Sequence, residues 1–131
     1  MMHKGFLITA LLLGALSVGI GAFGAHGLKS IVSERVLVTF ETAVKYQFYH
    51  VFALLAMAIL FKEFPGGWML AAGWLFILGI LLFCGSLYML CYVQATVQPG
   101  YKWLGPITPL GGLAFISGWI CMAIAVFKAY L

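Results

Sequence analysis

Charge is what this sequence has least of. Of 131 residues, seven are Lys or Arg and three are Asp or Glu, whereas 65% are apolar and the mean hydropathy is +1.14. A soluble domain carries roughly a quarter charged residues, so these few could not cover a water-facing surface. The solvent over most of the chain is therefore lipid. That scarcity excludes a secreted disulfide scaffold, a disordered tail and an ordinary cytosolic enzyme. The formal charge of +4 does not point to nucleic acid, because the basic residues are scattered and make no stripe. A small basic excess suits anionic headgroups instead.

Cysteine is scarce too. Cys84, Cys91 and Cys121 all lie within apolar runs, without a C-x-x-C pair or a histidine at ligand spacing. A free cysteine in such a run packs as a small hydrophobe, so neither a disulfide nor a metal site is expected. Paired carboxylates, a nucleophile elbow and a phosphate loop are likewise lacking. The expectation is a protein that is not an enzyme and carries no cofactor.

What the chain does have is long apolar runs. A membrane-spanning helix takes about 20 apolar residues, and four runs reach that length: Gly5–Ala25, Ala43–Phe61, Trp68–Val93 and Pro109–Lys128. Lys62-Glu63 and Pro65-Gly66-Gly67 punctuate the second gap, and Gln98-Pro99-Gly100 the third. Thr108 reads as the cap of the last helix, with Pro109 in its first position. The fold expected is all-α: a polytopic bundle of four transmembrane helices forming a single domain, with both termini on one side. The first run resembles a signal peptide in its basic start, but it is longer than a signal core and no exported domain follows it. Lys4, Lys62 and Lys128 fall on the terminal side, against Lys29, Arg35, Lys45 and Lys102 on the other. This bias leaves the orientation open.

Lipid supplies no hydrophobic force between helices, so close contact between small residues must hold them together. In the first run Ala10, Gly14, Ser17, Gly21 and Gly24 recur at steps of four and three. Gly111, Ala114, Gly118, Cys121 and Ala125 do the same in the last. These stripes read as packing faces within the bundle, and as faces on which a homo-oligomer or another membrane protein could be gripped.

Polar residues gather at one end. Helix 2 starts near Ser33, a plausible cap, with Glu34 in the first turn. Running to Phe61 it is about 42 Å long, against a hydrocarbon core of about 30 Å, so its first turns lie among headgroups. Val36, Leu37, Phe40, Ala43, Val44, Phe48 and Val51 fill one arc. Thr39, Glu41, Thr42, Lys45, Tyr46, Tyr49 and His50 fill the opposite one. Glu41 and Lys45 stand at the spacing of a helical ion pair, and a histidine as deep as His50 needs a partner or a polar cavity. Topology brings His26, Ser86 and Thr108 to the same end. His26, Glu41, Lys45, Tyr46, Tyr49, His50, Ser86 and Thr108 are therefore the candidate lining of one half-buried pocket.

Four segments carry a resemblance: GAFGAHGLK (21–29), FETAVKYQFYH (40–50), LFCGSLYML (82–90) and GPITPLGGLAFISGW (105–119). In this order they resemble a bacterial membrane family known as domain of unknown function 423, which is similar to a small human mitochondrial membrane protein. The resemblance covers nearly the whole chain. Cys84 stands where family members tend to have Ser. It implies shared signatures at 21–29, 46–50, 85–86 and 108–112, and no activity to carry over.

The leading expectation is a non-enzymatic bundle in the bacterial cytoplasmic membrane, binding a lipid headgroup or small amphiphile at its polar end. A small oligomeric transporter or channel using Glu41, Lys45 and His50 is the first alternative. An assembly factor for a membrane-protein partner is the second. Haem held by His26 and His50 is the one redox arrangement the residues admit.

Overall fold

A computed structural model of the chain describes all residues except 97–99 and 101. Gln98 and Pro99 of the expected turn thus lie outside the described residues. Four long helices carry the architecture: α1 (Lys4–His26), α2 (Glu34–Leu60), α3 (Gly67–Ala95) and α4 (Ile107–Lys128). Each is long and apolar enough to cross a membrane.

The two amino-terminal helix starts are capped by side chains. His3 Nδ1 accepts from the Phe6 N–H (3.2 Å) at α1, and Ser33 Oγ accepts from the Val36 N–H (3.4 Å) at α2. The last helix departs from expectation. It begins at Ile107, with Pro106 in the capping position and no side-chain cap, so Thr108 is already inside the first turn. Pro109 in that turn has no N–H to satisfy, which reduces the need for a capping hydroxyl and leaves Thr108 free to bond elsewhere.

Both termini lie at one end of the bundle. The His3 N–H donates to the Ala58 carbonyl (3.0 Å) near the end of α2, and Lys128 Nζ sits 5.4 Å over the Trp68 ring at the start of α3. The opposite end carries the α1–α2 and α3–α4 connections. The principal interfaces are α1 with α2, α2 with α3, and α3 with α4. The central pair is therefore more buried than α1 and α4, whose Leu11, Leu12, Leu16, Leu113, Ile116 and Ile120 are exposed to the surroundings.

Small residues make the outer interfaces. Gly14 lies against Val51, Gly21 against Val44, and Gly24 under the Phe40 ring, where a Cβ would come within 2.6 Å of ring carbon. Ala10, Ser17 and Ala114 are buried. On α4, Gly118 lies against the Phe76 ring and Gly111 against the Phe83 backbone, while Gly79 of α3 takes the Phe115 ring. Both stripes are thus occupied within the chain. A Gly118→Leu variant would accordingly disturb the fold itself, and so could not by itself reveal a lost partner.

α3 is not the uninterrupted α-helix its sequence predicts. Residues Ile80–Cys84 form a π-helical turn, at the level where Gly111 of α4 lies against the Phe83 backbone. A widened turn disturbs the usual carbonyl pairing, and here the Phe83 carbonyl receives the Ser86 hydroxyl (2.9 Å).

Candidate functional site

The eight residues expected to line one pocket do not converge; the structure divides them into an interior set and an outer set. His50, Ser86 and Thr108 belong inside, between helices. Glu41, Lys45, Tyr49 and His26 are exposed, and Tyr46 is 39% exposed at the boundary.

His50 fell on the polar arc in sequence, yet it is buried. At about 100° per residue, seven residues return a helix to within about 20° of its start, so His50 shares the face of buried Ala43. Its Nδ1–H donates to the Tyr46 carbonyl (2.8 Å), and its Nε2 accepts from Trp119 Nε1–H (3.2 Å). A carbonyl can only accept and an indole N–H can only donate. The network therefore fixes a neutral imidazole with its proton on Nδ1. The ring stacks on Phe115, with centroids 3.5 Å apart. Both ring nitrogens are engaged, which leaves no lone pair on His50 for a haem iron or another ligand.

Ser86 joins Thr108 across α3 and α4, with the hydroxyl oxygens 2.5 Å apart. That bond and the one to Phe83 occupy the Ser86 hydroxyl and tie the π-helical turn to the start of α4.

A third interior group was missed in sequence. Gln47 is 2% exposed, donates to Ser17 Oγ (2.8 Å) and accepts from the Tyr88 hydroxyl (2.7 Å). Ser17 in turn donates to the Leu13 carbonyl (2.7 Å). This chain links α1, α2 and α3 inside the membrane. Its signal was present: Val36, Phe40, Ala43, Gln47, His50 and Leu54 recur at steps of four and three, with Gln47 in the middle of the buried stripe. A double-mutant cycle of Gln47→Leu with Tyr88→Phe is expected to give a coupling of about 1 kcal/mol, typical of hydrogen bonds between membrane helices. Unfolding in mixed detergent–SDS micelles would measure it.

The outer set behaves differently. Glu41 and Lys45 have the spacing of a helical ion pair but do not form one. Among the described residues the one ion pair is Lys62–Glu63, 4.0 Å apart at the other end. Glu41 and Lys45 instead line a hollow of about 330 Å³ whose other walls are Gly21, Gly24, Ala25, Phe40 and Val44. The floor is open because α1 offers only hydrogens and methyls there, while Phe40 leans onto Gly24. His26, Tyr46 and Tyr49 are not among the lining residues. Counting back about 20 residues from the end of α2 at Leu60 spans a hydrocarbon core. Glu41 therefore lies at its boundary and Lys45 about 6 Å inside, within snorkelling reach of the headgroups.

Comparison with known proteins fixes the family. Residues 20–112 match the model of the "Protein of unknown function (DUF423)" family. The chain belongs to the DUF423 family. This DUF423 chain is 43% identical over 126 residues to the "UPF0382 membrane protein YwdK" of Bacillus subtilis, covering 95% of this chain and 98% of that one. It is 44% identical over 127 residues to the "UPF0382 membrane protein SAB0533" of Staphylococcus aureus, covering 95% and 97% respectively. No solved structure matches. The relatives are named membrane proteins and the chain has four apolar spans. It is accordingly a multi-pass membrane protein of unknown function, and the hollow at Glu41 and Lys45 is its candidate site.

Proposed function

We propose that the protein is a non-enzymatic bundle of the bacterial cytoplasmic membrane that holds a phospholipid by its headgroup in the hollow between α1 and α2. One observation carries this reading. An acid and a base, both exposed and neither ion-paired among the described residues, line a hollow that by helical rise straddles the boundary between headgroups and hydrocarbon. A charge left facing hydrocarbon is costly, and a headgroup in the hollow would supply the missing partner. Val18 and Leu11 of α1, seven and fourteen residues before Ala25 and so on nearly the same side of the helix, are exposed in line with the hollow, as a path for an acyl chain would require.

The interior polar groups favour binding at the surface over transport. Ser17–Gln47–Tyr88, His50–Trp119 and Ser86–Thr108 are three separate sets engaged with protein partners. No hydrogen bond among the described residues joins one set to another.

Native mass spectrometry of the full chain, released gently from membranes, tests the reading. One retained phospholipid per chain is expected, with retention lost in Lys45→Ala. A chain that emerges bare, or a Lys45→Ala variant that keeps its lipid, would refute it.

A further inference from the structure

We infer that the hollow selects phospholipids whose headgroup ends in a primary ammonium, of the phosphatidylethanolamine type. This rests on the binding reading above and adds the order of the charges to it. α2 enters the membrane at Glu34, so Glu41 is the outer charge and Lys45 the inner, one helical turn and about 6 Å deeper.

A phosphatidylethanolamine carries its charges in the complementary order. Passing outward from the glycerol, the phosphate comes first and the ammonium follows after a two-carbon link. The inner lysine thus meets the anion and the outer glutamate meets the cation. Lys45 acts on the phosphate as a point charge with rotatable donors. Glu41 accepts from the ammonium in charge-assisted hydrogen bonds, which are the stronger kind.

Other headgroups lose one half of this match. The quaternary ammonium of a choline lipid has no N–H to donate, so Glu41 keeps a charge partner but gains no hydrogen bond. The glycerol of an anionic phosphatidylglycerol has hydroxyls but no cation, and leaves Glu41 without a counter-charge. The floor suits a compact headgroup, since Gly21, Gly24 and Ala25 leave room beside Val44 for a small group.

The test uses the purified full chain in detergent, given phosphatidylethanolamine, phosphatidylcholine or phosphatidylglycerol at equal mole fraction with matched acyl chains. Retained lipid is read by native mass spectrometry and thermal protection by loss of helical circular dichroism. The ethanolamine lipid is expected to be retained about tenfold over the choline lipid, the factor of one charge-assisted hydrogen bond. Glu41→Gln should bring that ratio close to one, and Lys45→Gln should weaken retention of all three lipids. The double exchange Glu41→Lys with Lys45→Glu keeps the net charge but reverses the order, and should abolish the preference. Both side chains are exposed, so these variants are expected to fold as the parent does.

Equal retention of ethanolamine and choline lipids, or a preference that survives Glu41→Gln or the double exchange, overturns the inference and leaves the binding reading standing. Retention of no phospholipid overturns both. Equal protection by soluble phosphoethanolamine, without acyl chains, overturns the assignment to lipid.

Discussion

Gly111→Ala is expected to destabilise the bundle by about 3 kcal/mol or more, at the upper end of overpacking costs, whereas Gly112→Ala is expected to change stability by no more than about 0.5 kcal/mol. The two glycines are adjacent on α4 and gain the same methyl group. A Cβ on Gly111 runs into the Phe83 backbone, 2.7 Å from its Cα, while a Cβ on Gly112 meets nothing nearer than Phe83 Cδ2 at 3.9 Å. Backbone cannot rotate away from a clash as a ring can. At Gly24, by contrast, the colliding atoms belong to the Phe40 ring, which a small shift could move. The α3–α4 contact must therefore open at Gly111, at the π-helical turn and beside the Ser86–Thr108 bond. Unfolding of both variants in mixed detergent–SDS micelles, followed by circular dichroism, gives the comparison. Equal stabilities would contradict the packing at this crossing.

The four helices were legible because length and apolarity alone report them, and lipid permits few other folds. The small-residue stripes were legible for a related reason: at steps of three and four they mark a face wherever the helix goes. What the stripes could not show is which helix they meet. Gly21 against Val44 and Gly118 against Phe76 are facts of the folded chain. The π-helical turn at Ile80–Cys84 left no proline to mark it, and what accompanies it is a contact of the folded chain, Gly111 of α4 against the Phe83 backbone.

The polar end shows a subtler failure. Sorting α2 into apolar and polar arcs assumes that polar residues face away from neighbouring helices. Within a membrane the assumption inverts, because hydrocarbon is the worst surrounding for a polar group and a neighbouring helix can offer a partner. Gln47 sits at the centre of the buried stripe for that reason, and His50 at its edge. Glu41 and Lys45, close to the headgroups, still obey the aqueous rule and face outward. One arc thus holds two kinds of polar residue, separated by depth. The expectation of a single pocket merged them, although among the described residues both ring nitrogens of His50 are engaged while Glu41 and Lys45 form no ion pair.

His50→Ala is the second large effect expected, a loss of about 3–4 kcal/mol from a buried cavity combined with an unsatisfied donor. The substitution removes a ring stacked on Phe115 and deprives the Trp119 N–H of its acceptor. Trp119 is half-exposed on the lipid side, where no water replaces that acceptor. His50→Gln offers an amide oxygen at comparable reach, and should recover part of the loss if the hydrogen bond contributes beyond the packing. Trp119→Phe removes the donor instead, and its loss should be smaller because the ring contact with Phe76 is kept. If the bond couples the two residues, the double variant His50→Ala with Trp119→Phe should cost less than the two single losses added. Strict additivity would mean that the ring alone holds α2 to α4. A His50→Ala variant as stable as the parent, but unable to retain lipid, would move His50 from the scaffold into the binding site.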